Sequence, residues 1–225
     1  MAFDLPRRLV AEALGAAFLV GAVVGSGIMA EALTDDIALA LLANALATGS
    51  ILVALITVLG PVSGAHFNPA ISMAFALQGS LPAREAAFYA AAQIAGGIAG
   101  VIMAHMMFAL PPLEFSMKAR TGGPQWFAEG VAAFGLVMTI LGGIRFDGKA
   151  VPWLVGLYIT AAYWFTASTS FANPAVAIAR AFTNTFAGIR PLDVPAFVAA
   201  ELAGAVLALM LMRWLLRSQS HAPAE

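Results

Sequence analysis

Six long apolar segments constrain the fold of this chain more than any other feature. They run over Leu9–Ala30, Ile37–Leu59, Ala83–Leu110, Trp126–Ile144, Val151–Thr169 and Val194–Leu216. A helix needs about 20 apolar residues to cross the hydrocarbon core of a bilayer, and each segment reaches about that length. Only 10% of the residues are charged, so a soluble fold would lack polar side chains for its surface. The chain is therefore predicted to be an all-α membrane protein with six transmembrane helices.

Two further apolar stretches are too short to cross a bilayer. One follows Asn68 and runs to about Leu77, and the other follows Asn173 and runs to about Phe186. Each begins with the sequence Asn-Pro-Ala, in which Asn is suited to a helix N-cap and Pro to the first helical position. Short hydrophobic segments at corresponding positions of two halves indicate a transport site. Both are predicted to be re-entrant half-helices.

The chain contains an internal repeat. Residues 11–16 resemble 128–133, residues 92–96 resemble 200–204, and the second Asn-Pro-Ala motif lies 105 residues after the first. Three matches in the same order indicate a duplicated unit. The predicted organisation is one channel domain over 1–225, with a first repeat at 1–110, a second at 125–217 and a tail at 218–225. Three spans per repeat invert the second repeat, which places a shared site near the bilayer midplane.

The inversion predicts that the two half-helices enter from opposite faces and meet at Asn68 and Asn173. Non-helical backbone at that depth is tolerated only where it is buried in protein or lines a water-filled cavity. The carbonyl groups predicted to line a pore belong to Gly64, Ala65, His66, Thr169 and Phe171. Amide donors at the centre and carbonyl acceptors along one wall suit small uncharged solutes.

These motifs resemble those of the major intrinsic protein family, the aquaporins and aquaglyceroporins. The residues that carry the resemblance are 63–70, the second motif, and the paired Ala-Glu sequences at Glu12 and Glu129. The resemblance covers nearly the whole chain and implies an aquaporin-like fold, a homotetramer and one pore per subunit. The implied pore motifs are Asn68, Pro69, Ala70, Asn173, Pro174 and Ala175. It further implies a passive channel whose partners are membrane lipid and small neutral solutes, with no enzymatic activity, cofactor or metal.

The same resemblance assigns a selectivity filter on the outer side of the motifs. Counted from the two motifs, its positions are Thr48, Ala161, Ser170 and Val176. Family members usually have an aromatic residue at the first position and nearly always Arg at the last, whereas this chain has Thr48 and Val176. The pattern resembles a bacterial subgroup associated with arsenic resistance, which passes neutral arsenite. A wide filter for arsenite, glycerol-type solutes and water is therefore expected, with ions and protons excluded; the alternative is an ordinary water or glycerol channel.

Arg180 lies four residues beyond Val176 on the same face of the second half-helix. It is expected one turn further out, in the outer vestibule. Two interpretations stay open. Arg180 restores part of the missing positive field, or, as we favour, it extends to the membrane interface without affecting selectivity.

Glu12 and Glu129 lie inside predicted spans, where a carboxylate is costly unless it is paired or solvated. Their symmetric placement favours support of the re-entrant loops through backbone amides, with a proton relay as the alternative. His66 is interpreted as a brace for the first loop, with a pH-dependent gate as the alternative. The three His residues are scattered along the chain and predict no metal site.

Basic residues in short loops predict the orientation of the chain. One side holds Arg7, Arg8, Arg84, Arg145, Lys149, Arg213 and Arg217, and the other holds Lys118, Arg120 and Arg190. Both termini are therefore predicted to be cytoplasmic, in a multi-pass protein of the inner (plasma) membrane. The net charge of −1 argues against nucleic-acid binding. A proton-coupled transporter would need ionisable groups at the midplane, and an intramembrane enzyme a nucleophile with a base or metal ligands; neutral Asn residues favour the channel.

Overall fold

The structure, a computed structural model, describes residues 3–217 and is entirely helical and loop over that range. The helices are α1 (Leu5–Leu33), α2 (Ile37–Ser63), α3 (Pro69–Gln78), α4 (Ala83–Met107), α5 (Gly123–Phe146), α6 (Val151–Phe165), α7 (Pro174–Arg180) and α8 (Val194–Leu215). Five of them, α1, α2, α4, α5 and α8, are long and apolar enough to cross a membrane, and α6 has 15 residues. The predicted all-α fold with two short helices at the motifs is confirmed. The predicted tail at 218–225 lies outside the described residues.

The fifth predicted span ends earlier than its apolar sequence suggests. Helix α6 stops at Phe165, and Thr166 already has an extended backbone. Thr169 and Ser170 then have positive φ angles of 63° and 51°, which a right-handed helix cannot contain. The predicted end at Thr169 is therefore wrong.

The second half-helix is also shorter than predicted. Helix α7 ends at Arg180, whereas the apolar pattern continues to about Phe186. The amides of Ala181 and Phe182 bond to carbonyls three residues back, and the amide of Ile189 returns to the Arg180 carbonyl at 3.2 Å. These bonds close residues 181–189 into a loop that folds back over the end of α7.

The same helix pair forms the packing core of each half. Helix α1 packs on α4, and α5 packs on α8. A Cβ atom at Gly96 would overlap the carbonyl of Ala13, and one at Gly204 would overlap the carbonyl of Gly130. Small residues let membrane helices approach closely, and here they do so at equivalent positions of the two halves.

The long helices alternate in direction and define two faces. The terminal face carries residues 3–4, 79–82 and 147–150, and the far face carries residues 34–36, 108–122 and 181–193. Helix α3 runs from the interior to the terminal face, and α7 runs from the interior to the far face. The two short helices therefore diverge from a common centre.

Candidate functional site

Both short helices begin at an Asn cap. The Asn68 Oδ1 accepts from the backbone amide of Ala70 at 2.9 Å, and the Asn173 Oδ1 accepts from that of Ala175 at 3.0 Å. Each Asn has an extended backbone, and a proline follows it at the first helical position. This is the arrangement expected of an N-cap, so each motif sets the first turn of its helix.

The two caps bond to opposite halves. The Asn68 Nδ2 donates to the carbonyl of Ala172 at 2.7 Å, and the Asn173 Nδ2 donates to the carbonyl of Phe67 at 2.8 Å. The residue before each cap therefore accepts from the cap of the other half. Since helix N-termini carry partial positive charge, the positive ends of α3 and α7 lie together at this centre.

The loops before the caps have an unfavourable backbone. Five non-glycine residues in them have φ angles between 49° and 63°: Ala65, Phe67, Thr169, Ser170 and Ala172. The left-handed conformation costs roughly 1–2 kcal/mol for each such residue. Strong local hydrogen bonds are needed to hold both loops.

Glu12 supplies those hydrogen bonds in the first half. Its Oε1 accepts from the Ser63 hydroxyl at 2.6 Å and the backbone amide of His66 at 3.0 Å. Its Oε2 accepts from the backbone amide of Phe67 at 2.6 Å and the Nε2 of Gln93 at 2.7 Å. One fully buried carboxylate thus collects four donors and fixes the first loop.

The second half divides the same task between two acids. Glu129 accepts from the backbone amides of Phe171 at 2.9 Å and Ala172 at 2.7 Å. Glu201 accepts from the backbone amide of Asn173 at 2.9 Å, and its carboxyl lies close to that of Glu129. Sequence reasoning assigned no role to Glu201. The internal repeat indicates such a role for Glu201, because Glu201 aligns with Gln93 in the matched segments.

A cavity of about 700 Å³ passes this centre. It runs from Ser80 and Lys149 at the terminal face, past Asn68 and Asn173, to Arg180 near the far face. The residues of the predicted carbonyl wall that line it are Gly64, Ala65, His66 and Phe171. Thr169 does not line it. The structure therefore brings the two caps and most of the predicted wall to one continuous space.

His66 lies where the first loop borders this cavity. Its Nδ1 is 3.1 Å from the Ser72 hydroxyl, and its ring packs at centroid distances of 4.6 Å on Phe75 and 5.5 Å on Tyr89. These contacts hold the imidazole between α3 and α4. The ring lines the cavity from a fixed position.

Arg180 is buried at the far-face end of the cavity. Its side chain is 2% exposed, so the interpretation that it extends to the membrane interface is wrong. The Nε donates to the carbonyl of Ala187, and the guanidinium lies 3.4 Å from the ring centroid of Phe171. Cation–π contact and the hydrogen bond both fix its direction.

Arg120 reaches the same aromatic ring from the loop between α4 and α5. Its Nε donates to the Gly188 carbonyl at 2.9 Å, its Nη1 donates to the Ser168 carbonyl at 3.2 Å, and its guanidinium lies 5.1 Å from the Phe171 centroid. Burial lowers the pKa of the Arg120 guanidinium. Arg120 thus ties together the two loops that flank α7. No sequence signal identified this role.

Three of the four predicted filter positions border the far-face end of the cavity. They are Thr48, Ser170 and Val176. The hydroxyl of Tyr163 lies 3.1 Å from the Thr48 Oγ1 and faces the same space. The polar groups at this end are therefore hydroxyls and one guanidinium, set among apolar side chains that include Val176 and Phe171.

Comparison with known proteins agrees with this geometry. The sequence profile described as Major intrinsic protein matches residues 2–149. This chain belongs to the major intrinsic protein family. It is 73% identical over 215 residues to Aquaglyceroporin AqpS of Rhizobium meliloti (strain 1021), a match that covers 96% of this chain and 92% of that protein.

More distant members of the major intrinsic protein family match less of the chain. Aquaporin NIP1-4 of Oryza sativa subsp. japonica is 30% identical over 161 residues, which is 71% of this chain and 58% of the plant protein. The X-ray structure of the aquaglyceroporin from Plasmodium falciparum superposes with a TM-score of 0.75 at 20% identity. It covers 95% of this chain and 97% of that one, and shows that the fold is shared.

One of the four predicted filter positions of this major intrinsic protein does not border the cavity. The assignment of Ala161 is wrong, because Ala161 is exposed on the outward surface of α6 and does not border the cavity. Ile159 and Tyr163, four residues apart, share the inward face of the helix. Tyr163 therefore contributes bulk and a hydroxyl where a small side chain was expected.

Metal ligation finds no support at this site. In the part of the chain that the structure describes, no three His, Asp or Glu side chains lie close enough to hold a metal ion. The polar groups of the cavity are amides, carbonyls, hydroxyls, the imidazole of His66, the ammonium of Lys149 and the guanidinium of Arg180, among many apolar side chains.

Proposed function

We propose that this protein is a passive channel for small uncharged hydroxylated solutes of the glycerol and arsenite type, together with water. The observation that carries the proposal is the pair of reciprocal Asn caps inside one continuous cavity. The name of the relative from Rhizobium meliloti, an aquaglyceroporin, supports glycerol-type solutes. The arsenite part rests on Thr48 and Val176, which replace the aromatic residue and the Arg of the usual family filter.

Exclusion of cations and protons belongs to the same proposal. The positive ends of α3 and α7 converge at the centre, and Arg180 adds a buried cation further along the cavity. A cation that entered would lose its hydration and meet positive potential twice. The double variant Asn68→Asp with Asn173→Asp should admit cations, measured as reversal potentials in planar bilayers. Ohmic proton current through the unmodified protein would contradict the proposal.

The direct test is stopped-flow flux in proteoliposomes for water, glycerol and arsenite at one protein density. Each permeability should rise with protein density above that of protein-free vesicles and should need no pH gradient. Flux that appears only under a pH gradient would instead support a proton-coupled transporter. The unmodified protein in detergent, checked for monodispersity, serves as the matched reference for every variant.

An ordinary water or glycerol channel is the second candidate. Tyr163 and Arg180 favour it, because both occupy the end of the cavity that was expected to be wide. Val176→Arg distinguishes the two candidates, since it adds bulk and up to five donors. Arsenite and glycerol permeability should then fall much more than water permeability. An unchanged arsenite-to-water ratio places the selecting residue elsewhere.

Assembly and orientation complete the proposal. Exposed aromatic side chains on α5 and α6 offer a surface for subunit contact, including Trp126, Phe127, Trp153, Trp164 and Phe165. A homotetramer with cytoplasmic termini follows the family resemblance and the distribution of basic residues. Light scattering coupled to size exclusion should give four subunits per particle. A protease-sensitive tag at either terminus should be protected in intact cells.

A further inference from the structure

Two buried polar groups at the far-face end of the cavity have no hydrogen-bond partner among residues 3–217. They are the Nη1 of Arg180 and the Oγ of Ser170. The side chains are 2% and 3% exposed, and both residues line the cavity. A buried donor left without a partner is costly, and more so when it is charged. Because both residues line the cavity, a solute there can supply the missing partner.

We propose that Arg180 and Ser170 form the solute-binding pair that selects hydroxylated solutes in this channel. The proposal rests on the channel function given above and names the residues that recognise the solute. The guanidinium can only donate, whereas the Ser170 hydroxyl can donate and accept. Neighbouring hydroxyl groups of one solute can therefore bond to both. In the usual family filter, the Arg occupies the position of Val176. In this chain the cation is Arg180, four positions later.

The Arg180 donor is held in place before a solute arrives. Its Nε is committed to the Ala187 carbonyl, and its guanidinium stacks on Phe171. Arg120 contacts the same ring and bonds the loops on either side of α7. A donor fixed in this way loses little freedom when a solute binds, so its hydrogen bond contributes most of its strength to selection.

The opposite side of the cavity offers a matching acceptor. Thr48 donates its only hydroxyl proton to the Asn44 carbonyl at 2.8 Å. The 3.1 Å contact between the two hydroxyls must then use the proton of Tyr163. The Tyr163 oxygen is left as an acceptor, and Tyr163 lines the cavity. A solute hydroxyl that accepts from Arg180 can donate towards Tyr163.

Acidic side chains do not provide the missing partner. The ion pairs found across the described residues join Arg7 with Asp4, Arg8 with Glu85 and Arg190 with Asp193. Glu129 and Glu201 act on Arg180 through charge, but three of their four oxygens bond to the amides of the second loop, and neither acid forms an ion pair with Arg180. The Nη1 of Arg180 therefore has no acidic partner among the described residues, and Arg180 lines the cavity.

The test compares glycerol with 1,3-propanediol, which has the same carbon chain but lacks the central hydroxyl. Their permeability ratio is measured in proteoliposomes, with water permeability as a third value. Arg180→Gln should lower the glycerol-to-propanediol ratio about tenfold, and Ser170→Ala should lower it about threefold, since a charged donor contributes more than a neutral one. Lys118→Gln is the matched control. Lys118 is also a far-face cation, but its Nζ bonds to the Phe186 carbonyl and it does not line the cavity.

Ser170→Ala keeps the proposal falsifiable if Arg180→Gln folds poorly, because the Ser170 Oγ makes no hydrogen bond that its loss could break. Arg180→Lys should retain the positive charge but lower the ratio, because an ammonium lacks the planar fork. Two results together would overturn the proposal. In Arg180→Gln the permeabilities for water, glycerol and propanediol would fall in parallel, and in Ser170→Ala the glycerol-to-propanediol ratio would stay unchanged. Failure of the channel function itself looks different, since the unmodified protein would then pass none of the three solutes.

Discussion

The two re-entrant loops have the same backbone course but are held in different ways. In the first, the single carboxylate of Glu12 receives four donors, two from the backbone and two from side chains. In the second, Glu129 and Glu201 share three backbone amides, and the Oε2 of Glu201 has no partner among the described residues. Each half leaves one buried acceptor unpaired among the described residues, the Oε1 of Gln93 in the first and the Oε2 of the second acid, Glu201, in the second.

The difference shows that loop shape and local charge are set separately. Backbone amides bound to a buried carboxyl fix the shape in both halves. The second half adds a further acid and two guanidinium groups, the half-buried Arg120 and the buried Arg180, which act on those acids through charge. A buried charge is costly unless it is paired, and the proposed solute site places such a cation beside these acids. The first loop borders the centre of the cavity and has no such guanidinium group beside its carboxylate.

The largest effect is expected from Glu12→Gln. All four groups bound to Glu12 are donors, so an amide NH2 would face donors and leave buried groups unpaired. We expect a loss of about 3–5 kcal/mol of folding free energy, at about 1–3 kcal/mol for each unpaired group. Tryptophan fluorescence during thermal unfolding in detergent measures it. Glu129→Gln should lose less, because the neighbouring Glu201 carboxyl can accept from the new amide; equal losses would contradict the comparison.

Gln93→Glu should have the next largest effect. It places a second carboxyl against Glu12 and removes the Nε2 that bonds to Glu12 at 2.7 Å and to Ser72 at 3.0 Å. We expect a loss of about 2–3 kcal/mol. The loss should be smaller at pH 5 than at pH 8, because a protonated carboxyl can donate as the amide does. A pH-independent loss would point to packing instead of charge.

The smallest effect is expected from Glu201→Gln, which gives the second loop the pattern of the first. The amide oxygen can accept from Asn173, and the amide NH2 can donate to Glu129. The free energy of unfolding should rise by less than about 1 kcal/mol, because one buried acid is removed. A loss above about 2 kcal/mol would show that the charge of Glu201 is needed to balance Arg120 and Arg180.

Local signals explain what the sequence predicts well. The length of the apolar segments predicts the long helices, and an Asn followed by Pro predicts where α3 and α7 begin. The matched segments also reveal the repeat, because the two halves keep their order and spacing. None of these signals depends on contacts between distant residues.

Distant contacts explain the errors. The count that led from Asn173 back to Ala161 crosses residues 166–172, which are not helical and contain three positive φ angles, and the inward face of α6 carries Ile159 and Tyr163 instead. No glycine in that stretch signals such a backbone. Arg180 was expected at the interface because a cation in an apolar helix commonly extends to water. Its inward position depends on the folded loop that supplies the Ala187 carbonyl, and on the ring of Phe171.

The reciprocal bonds of the two Asn caps set an order of events during synthesis. The Asn68 amide bonds to a carbonyl 104 residues later in the chain, so its acceptor does not exist when α3 leaves the ribosome. At about 5–20 residues per second, the first half-helix waits for roughly 5–20 s. An unpaired amide next to a left-handed backbone is unstable in lipid, so α3 stays at the membrane surface or in the translocation machinery during that interval. Insertion of the first half-helix is therefore completed only when the second arrives.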